Sequence, residues 1–106
     1  MSAYIYNADL YCAACGDHLI ESHIASGAED TGDSDDFPQG PYPDGGGEAD
    51  CPQHCAACGV FLENPLTEQG AQDVQELITE HLQSGRGTKH TLQTWSHFYG
   101  LPWRTA

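Results

Sequence analysis

Four of the five cysteines in this chain of 106 residues fall in two copies of one pentapeptide, Cys12-Ala13-Ala14-Cys15-Gly16 and Cys55-Ala56-Ala57-Cys58-Gly59. Two residues between cysteines bring both sulfurs to one side of a tight loop. The glycine after the second Cys permits the positive φ with which such a knuckle ends, and leaves backbone N–H groups to point at sulfur. One hook supplies half a tetrahedron and the second closes it, with zinc–sulfur bonds of about 2.3 Å. A closed four-sulfur site keeps no open coordination position, so its role is structural. The expectation is one Zn2+ per chain on Cys12, Cys15, Cys55 and Cys58.

Other uses of the same residues make different demands. A redox dithiol wants a strand before its CxxC and a helix after it in a βαβ setting, and duplication of the whole pentapeptide argues against two independent redox motifs. Disulfides would suit a secreted chain, but the run MSAYIYNADLY has neither a basic start nor a long apolar stretch. Cys51-Pro52-Gln53-His54 is a further C-x-x-H pair. Either residue could replace a hook thiolate or join a second, weaker site. We take the plainer reading, a free Cys51 thiol with His54 a donor to a ligand sulfur, because the first hook is complete in itself.

The elements that must position these hooks are short. At this length the chain is one domain, with few Val, Ile, Leu and Phe and 12 Gly; a metal cross-link is the usual remedy for so small a core. Tyr4-Ile5-Tyr6 is β-prone, Asn7-Ala8-Asp9 is a turn, and Leu10-Tyr11 leads into the first hook. Asp17 is placed to cap a short helix through about Ser26, with Leu19, Ile20 and Ile24 as its apolar stripe and Gly27 as its stop. His18 and His23 on it read as solvated or capping histidines. Val60-Phe61-Leu62 reads as a short strand.

The stretch 28–50 holds eight acids and many Gly and Pro, and its only large apolar side chains are Phe37 and Tyr42. Composition makes most of it unable to pack. Two readings stay open: a solvated linker, or an acidic recognition loop with Phe37 and Tyr42 as aromatic anchors.

Beyond residue 64 the pattern turns helical. Thr67 should cap a helix to about Ser84 with the stripe Ala71, Val74, Leu77, Ile78 and Leu82, ended by Gly85. A second helix should run from near Thr88 to before Gly100, with Leu92, Trp95, Phe98 and Tyr99. The expected fold is thus a small α+β metal-bound domain. A zinc-ribbon-like half with short strands (1–64) carries the acidic loop, and a C-terminal helical hairpin (65–106) packs on it. The aromatic cluster near Trp103 leaves a dimer or partner face open.

The net charge is −13, and residues 1–64 hold 12 Asp or Glu with no Lys or Arg. Four thiolates and one zinc would move the total to about −15. Such a surface repels nucleic acid and anionic membrane and suits a basic protein partner. Catalytic signatures are missing: there is no H-x-E, no H-E-x-x-H, no phosphate loop and no G-x-S-x-G. The chain reads as a non-enzyme.

The run CAACG…PQHCAACGVFLENPLT, preceded by FPQGPYPDGGGEAD, resembles small uncharacterised zinc-ribbon-like proteins of bacteriophages and environmental bacteria over roughly residues 10–85. That resemblance implies Cys12, Cys15, Cys55 and Cys58 as ligands, a cytoplasmic setting and no assigned activity; it does not require Cys51. The hooks are also similar to rubredoxin knuckles, which hold iron for electron transfer. Here Ala57 stands where rubredoxins place proline, and the helical third has no counterpart. The functional expectation is a small cytoplasmic zinc-stabilised interaction protein, monomer or homodimer, that docks a basic host protein as a DNA mimic. Rubredoxin-like electron transfer is the alternative.

Overall fold

The computed structural model describes residues 1–105, which form an α+β fold of three short strands in one antiparallel sheet and three helices. Strand β1 (Ala3–Tyr6) and strand β2 (Asp9–Cys12) make a hairpin closed by Asn7 and Ala8, both at positive φ (50° and 65°). Two left-handed residues are what a two-residue hairpin turn requires for its twist to match the strands. The register pairs Ala3 with Cys12, Tyr4 with Tyr11, Ile5 with Leu10 and Tyr6 with Asp9.

The acidic insertion supplies the third strand. Strand β3 (Gln39–Tyr42) pairs antiparallel with the free side of β1, making β1 central. Its ladder is irregular between Ala3↔Tyr42 and Ile5↔Gln39, where β3 carries Gly40 and a cis Gly40–Pro41 peptide. Proline belongs on such an edge, because it has no N–H to donate. Earlier in the insertion, Asn7 N–H donates to Ser34 O (2.8 Å) and Phe37 N–H to Asp33 O (3.0 Å). Phe37 is buried, with its ring edge-on to His23 at 5.6 Å, and His23 in turn meets Tyr6 at 4.8 Å. His23 is therefore a packed residue rather than a solvated one. Phe37 holds the insertion down from inside and is not offered to a partner.

Helix α1 (Ala13–Ala25) begins one residue after β2 and starts four residues before the expected Asp17 cap. Asp17 instead accepts the Tyr4 hydroxyl at 2.8 Å. The helix ends as expected, with Ser26 as C-cap and Gly27 at φ 87°. Of the expected stripe, Leu19 and Ile20 are half-buried but Ile24 is 62% exposed.

The chain divides into two compact units, one of Met1–Glu48 with Gln53–Asn64, the other of Ala49–Pro52 with Pro65–Ala106. The core of the first unit is Ala3, Cys12, Cys55 and Leu62, with Leu10, Tyr11 and Cys15 against it. Fully burying Leu62 contributes about 1.5–3 kcal/mol. In the second unit, Ala49 bridges Leu66 in parallel, with Thr67 N–H donating to Ala49 O (3.0 Å). Thr67 caps helix α2 (Glu68–Ser84) by accepting from Gly70 N–H at 3.0 Å, and its hydroxyl donates to Asp50. Gly70 is required there, since a Cβ would lie 2.8 Å from Asp50 O.

Gly85 closes α2 in the left-handed conformation, and helix α3 (Lys89–Tyr99) follows, closed in the same way by Gly100. Val74, Ile78 and Leu92 are the buried contacts of this pair, whereas Leu77, Leu82 and Phe98 are substantially exposed. The C-terminal tail returns along α2: Gln75 Nε2 donates to Pro102 O (3.1 Å), and Trp103 lies 5.7 Å from the His81 ring.

Candidate metal centre

The two identical hooks arrive by different local structures. Cys12 is the last residue of β2 and the N-cap of α1, with an extended backbone (φ −64°, ψ 165°). Ala13 to Gly16 are then the first helical turn, so Cys15 projects from the helix start. Helix N-termini leave their first N–H groups without helical partners and carry partial positive charge, which suits thiolates.

Gly16 does not end a knuckle and has no positive φ; it is buried in the helix, where a Cβ would lie 2.0 Å from Tyr4 Cδ2. Its role is to let the helix lie on the Tyr4 ring. Gly59 does what the spacing predicts, at φ 79° with open space around the missing Cβ.

The second hook is a true turn. Gly59 N–H donates to Cys55 O (2.9 Å) and Cys55 N–H to Val60 O (2.9 Å). The expected strand 60–62 is reduced to a single bridge between Phe61 and His54. Three ties position this turn. Ala56 N–H donates to Leu10 O (2.9 Å), which joins it to the strand that delivers Cys12. Leu62 N–H donates to Gln53 O (2.9 Å), and Gln53 N–H donates to Oδ1 of fully buried Asn64 (2.7 Å). Asn64 and Gly45 are the supporting residues that sequence reading missed. Gly45, inside the one-turn 3-10 segment Asp44–Gly46, lets the insertion touch the backbone behind the knuckle: a Cβ would lie 2.3 Å from Leu62 O. The signals were Asn-Pro at 64–65 and the Gly-Gly-Gly run, which read equally well as ordinary turn chemistry.

Together these elements gather the Sγ atoms of Cys12, Cys15, Cys55 and Cys58 within 4.8 Å of one another. Cys12 Sγ and Cys58 Sγ are 3.8 Å apart. A tetrahedron of metal–sulfur bonds near 2.3 Å has edges of about 3.8 Å, so the donors and their spacing fit a four-thiolate ion. None of the five cysteines is in a disulfide. Cys51 is exposed and is not one of the four; His54 Nδ1 lies 2.9 Å from Gly59 O, bracing the turn through its backbone.

The electrostatics also call for a cation. Hydrogen bonds with Cys12, Cys55 and Cys58, in that order, push the Cys15 thiol up to about 12, because neighbouring sulfurs share one proton rather than all ionise. Burial pushes Cys55 up, but N–H groups of Cys58, Cys12 and Ala57 outweigh it and hold the thiol down at about 6. A divalent ion removes the repulsion that keeps Cys15 protonated.

No protein-family model, curated protein or solved structure matches the chain. No helix among the described residues is long and apolar enough to cross a membrane. The site and the surface are therefore what bear on function. Of the aromatic residues expected to face a partner, Tyr42 is 41% exposed and Trp103 is half-buried.

Proposed function

We propose that the protein is a small cytoplasmic zinc-stabilised interaction module whose acidic unit docks a basic protein surface. The observation that carries this reading is the charge of the unit that holds the four-cysteine centre. That unit contains no Lys or Arg, and all its acids but Glu63 are exposed. Asp30, Asp33, Asp35 and Asp36 follow one another along the solvent side of the insertion, which is fastened at Asn7, Phe37 and β3. Gln39 Nε2 and then Gly32 N–H hold the Asp30 carboxyl below its ordinary range, so it stays ionised under mildly acidic conditions.

Zinc is the metal this reading assigns, since four thiolates in a closed set favour it and a structural ion is what so small a core needs. When bound, it supplies a cross-link between β2, the start of α1 and the second knuckle. The resemblance to zinc-ribbon-like phage proteins fits the second hook, and with it a phage-encoded inhibitor that occupies a host protein's nucleic-acid site as a DNA mimic.

Two measurements test the reading. Native mass spectrometry should show one zinc per chain; a coloured protein carrying iron would favour the rubredoxin-like electron-transfer reading instead. Binding to a basic DNA-binding protein should weaken steeply with salt and compete with DNA. Affinity unchanged between low and high salt would overturn the acidic docking role.

A further inference from the structure

We propose that Cys58 is a modification site, the thiolate of the four-sulfur centre that reacts first with hydroperoxides and alkylating electrophiles, and that its oxidation to a Cys12–Cys58 disulfide expels the metal. The proposal builds on the zinc reading and adds regulation to the same site.

The four sulfurs are unequal in access. Cys55 and Cys12 are 3% and 8% exposed and Cys15 is half-buried, whereas Cys58 is exposed. Its surroundings keep the approach open: Gly59 has no atom within 4 Å of where a Cβ would stand, and Val60 is exposed. Cys58 therefore combines open access with a neighbouring sulfur in reach: Cys12 Sγ stands 3.8 Å away, ready to resolve.

The chemistry balances with a hydroperoxide as the named oxidant. Cys58 thiolate attacks one peroxide oxygen; the O–O bond breaks, hydroxide leaves, and the sulfur becomes a sulfenic acid, oxidised by two electrons. Cys12 thiolate attacks that sulfur, the S–S bond forms and a second hydroxide leaves. Two protons from solvent convert both hydroxides to water. Two of the four metal ligands are thereby consumed, and the ion, left on Cys15 and Cys55, dissociates.

The test uses the full chain as purified, with its zinc content measured first. Substoichiometric hydrogen peroxide is then added, released zinc is followed with a chromogenic chelator, and the cysteines are mapped by peptide mass spectrometry. The expected result is one zinc released per peroxide consumed, with Cys12 linked to Cys58. A brief pulse of N-ethylmaleimide should label Cys58 roughly tenfold ahead of Cys12, Cys15 and Cys55. A first lesion at Cys15, a Cys55–Cys58 linkage, a disulfide through Cys51, or zinc retained with Cys58 unmodified would overturn the proposal while leaving the zinc reading intact. Protein that contains no zinc before treatment would overturn both. Cys51→Ser should release zinc at the wild-type rate; a rate lowered tenfold in that variant would move the reactive thiol outside the centre and overturn the assignment.

Discussion

The same five letters, CAACG, fold in two ways within one unit. The first copy continues a strand and becomes the opening turn of a thirteen-residue helix; the second is a tight turn with its glycine left-handed. The pentapeptide therefore does not encode its own conformation. Its flanks do. Before the first copy, the β1–β2 ladder holds Cys12 extended opposite Ala3 and hands the chain directly to a helix start. Around the second, Gln53, Asn64 and Val60 close a loop by backbone and amide bonds, and no helix-favouring stretch follows. What the copies share is the chemistry: two sulfurs on one side, with N–H groups behind them.

On the zinc reading, the largest effect should come from removing the metal that both copies would share. A strong chelator should unfold the first unit, since binding to structural four-ligand zinc sites is worth about 10–16 kcal/mol in small zinc domains at neutral pH. Far-ultraviolet circular dichroism before and after chelation reads this directly. Full retention of the strand signal would mean that the Ala3–Leu62 core suffices without the ion.

The two glycines then separate the two conformations. Gly16→Ala should cost about 1–3 kcal/mol, because the new methyl meets the Tyr4 ring and the helix must shift. Gly59→Ala has open space and should cost only the left-handed backbone penalty, about 1–2 kcal/mol. Denaturant midpoints of the zinc-loaded variants compare them. Shortening Tyr4 to Leu should rescue part of the Gly16→Ala loss and none of the Gly59→Ala loss; equal rescue would break the distinction.

Asn64→Ala tests the cradle of the second copy alone. The variant leaves Gln53 N–H without its Oδ1 partner, a loss of about 1–3 kcal/mol. Metal affinity should fall with it, measured by competition with a chromogenic chelator. The corresponding cap in the other unit, Thr67→Ala, should cost about 1 kcal/mol of α2 stability and leave metal affinity unchanged.

The smallest effect is a pH signature in the other unit. Burial, and then repulsion from Cys51, push the Tyr99 hydroxyl up to about 12. The neutral phenol is favoured in the folded state, so its contribution is fully present below the ordinary tyrosine range near 10 and is lost as pH rises toward about 12. Tyr4, bonded to Asp17, and Tyr11, by burial, are also raised, so an ultraviolet titration of Tyr99→Phe should lose one tyrosine from the late-ionising fraction and keep the rest.

Much of this was legible in the sequence because it depended on local chemistry. The gathering of the four hook cysteines followed from their spacing, and α2 followed from Thr67 and Gly85, with Val74 and Ile78 of its apolar period buried and Leu77 and Leu82 left exposed. The conformation of the first hook was not legible, since its twin obeys the rule that it breaks and only the tertiary ladder decides between them. Strand β3 was hidden for a related reason. Gln-Gly-Pro-Tyr has neither alternation nor β-branched residues, and it becomes a strand because β1 has a free edge and Phe37 is anchored nearby. The Ile24 misreading was one of reach, as it lies on the last turn of α1, largely exposed.

The exchange of residues 49–52 has a consequence for how the chain can be cut. Because that short segment belongs with α2 while the residues on either side belong with the cysteine unit, the polypeptide passes between units three times. No single cleavage yields two complete halves. A truncation at residue 64 would retain all four hook cysteines yet strand the Ala49–Pro52 segment without the Leu66 and Thr67 backbone it pairs with. A fragment meant to isolate the metal centre must therefore omit that segment and rejoin Glu48 to Gln53 by a new link.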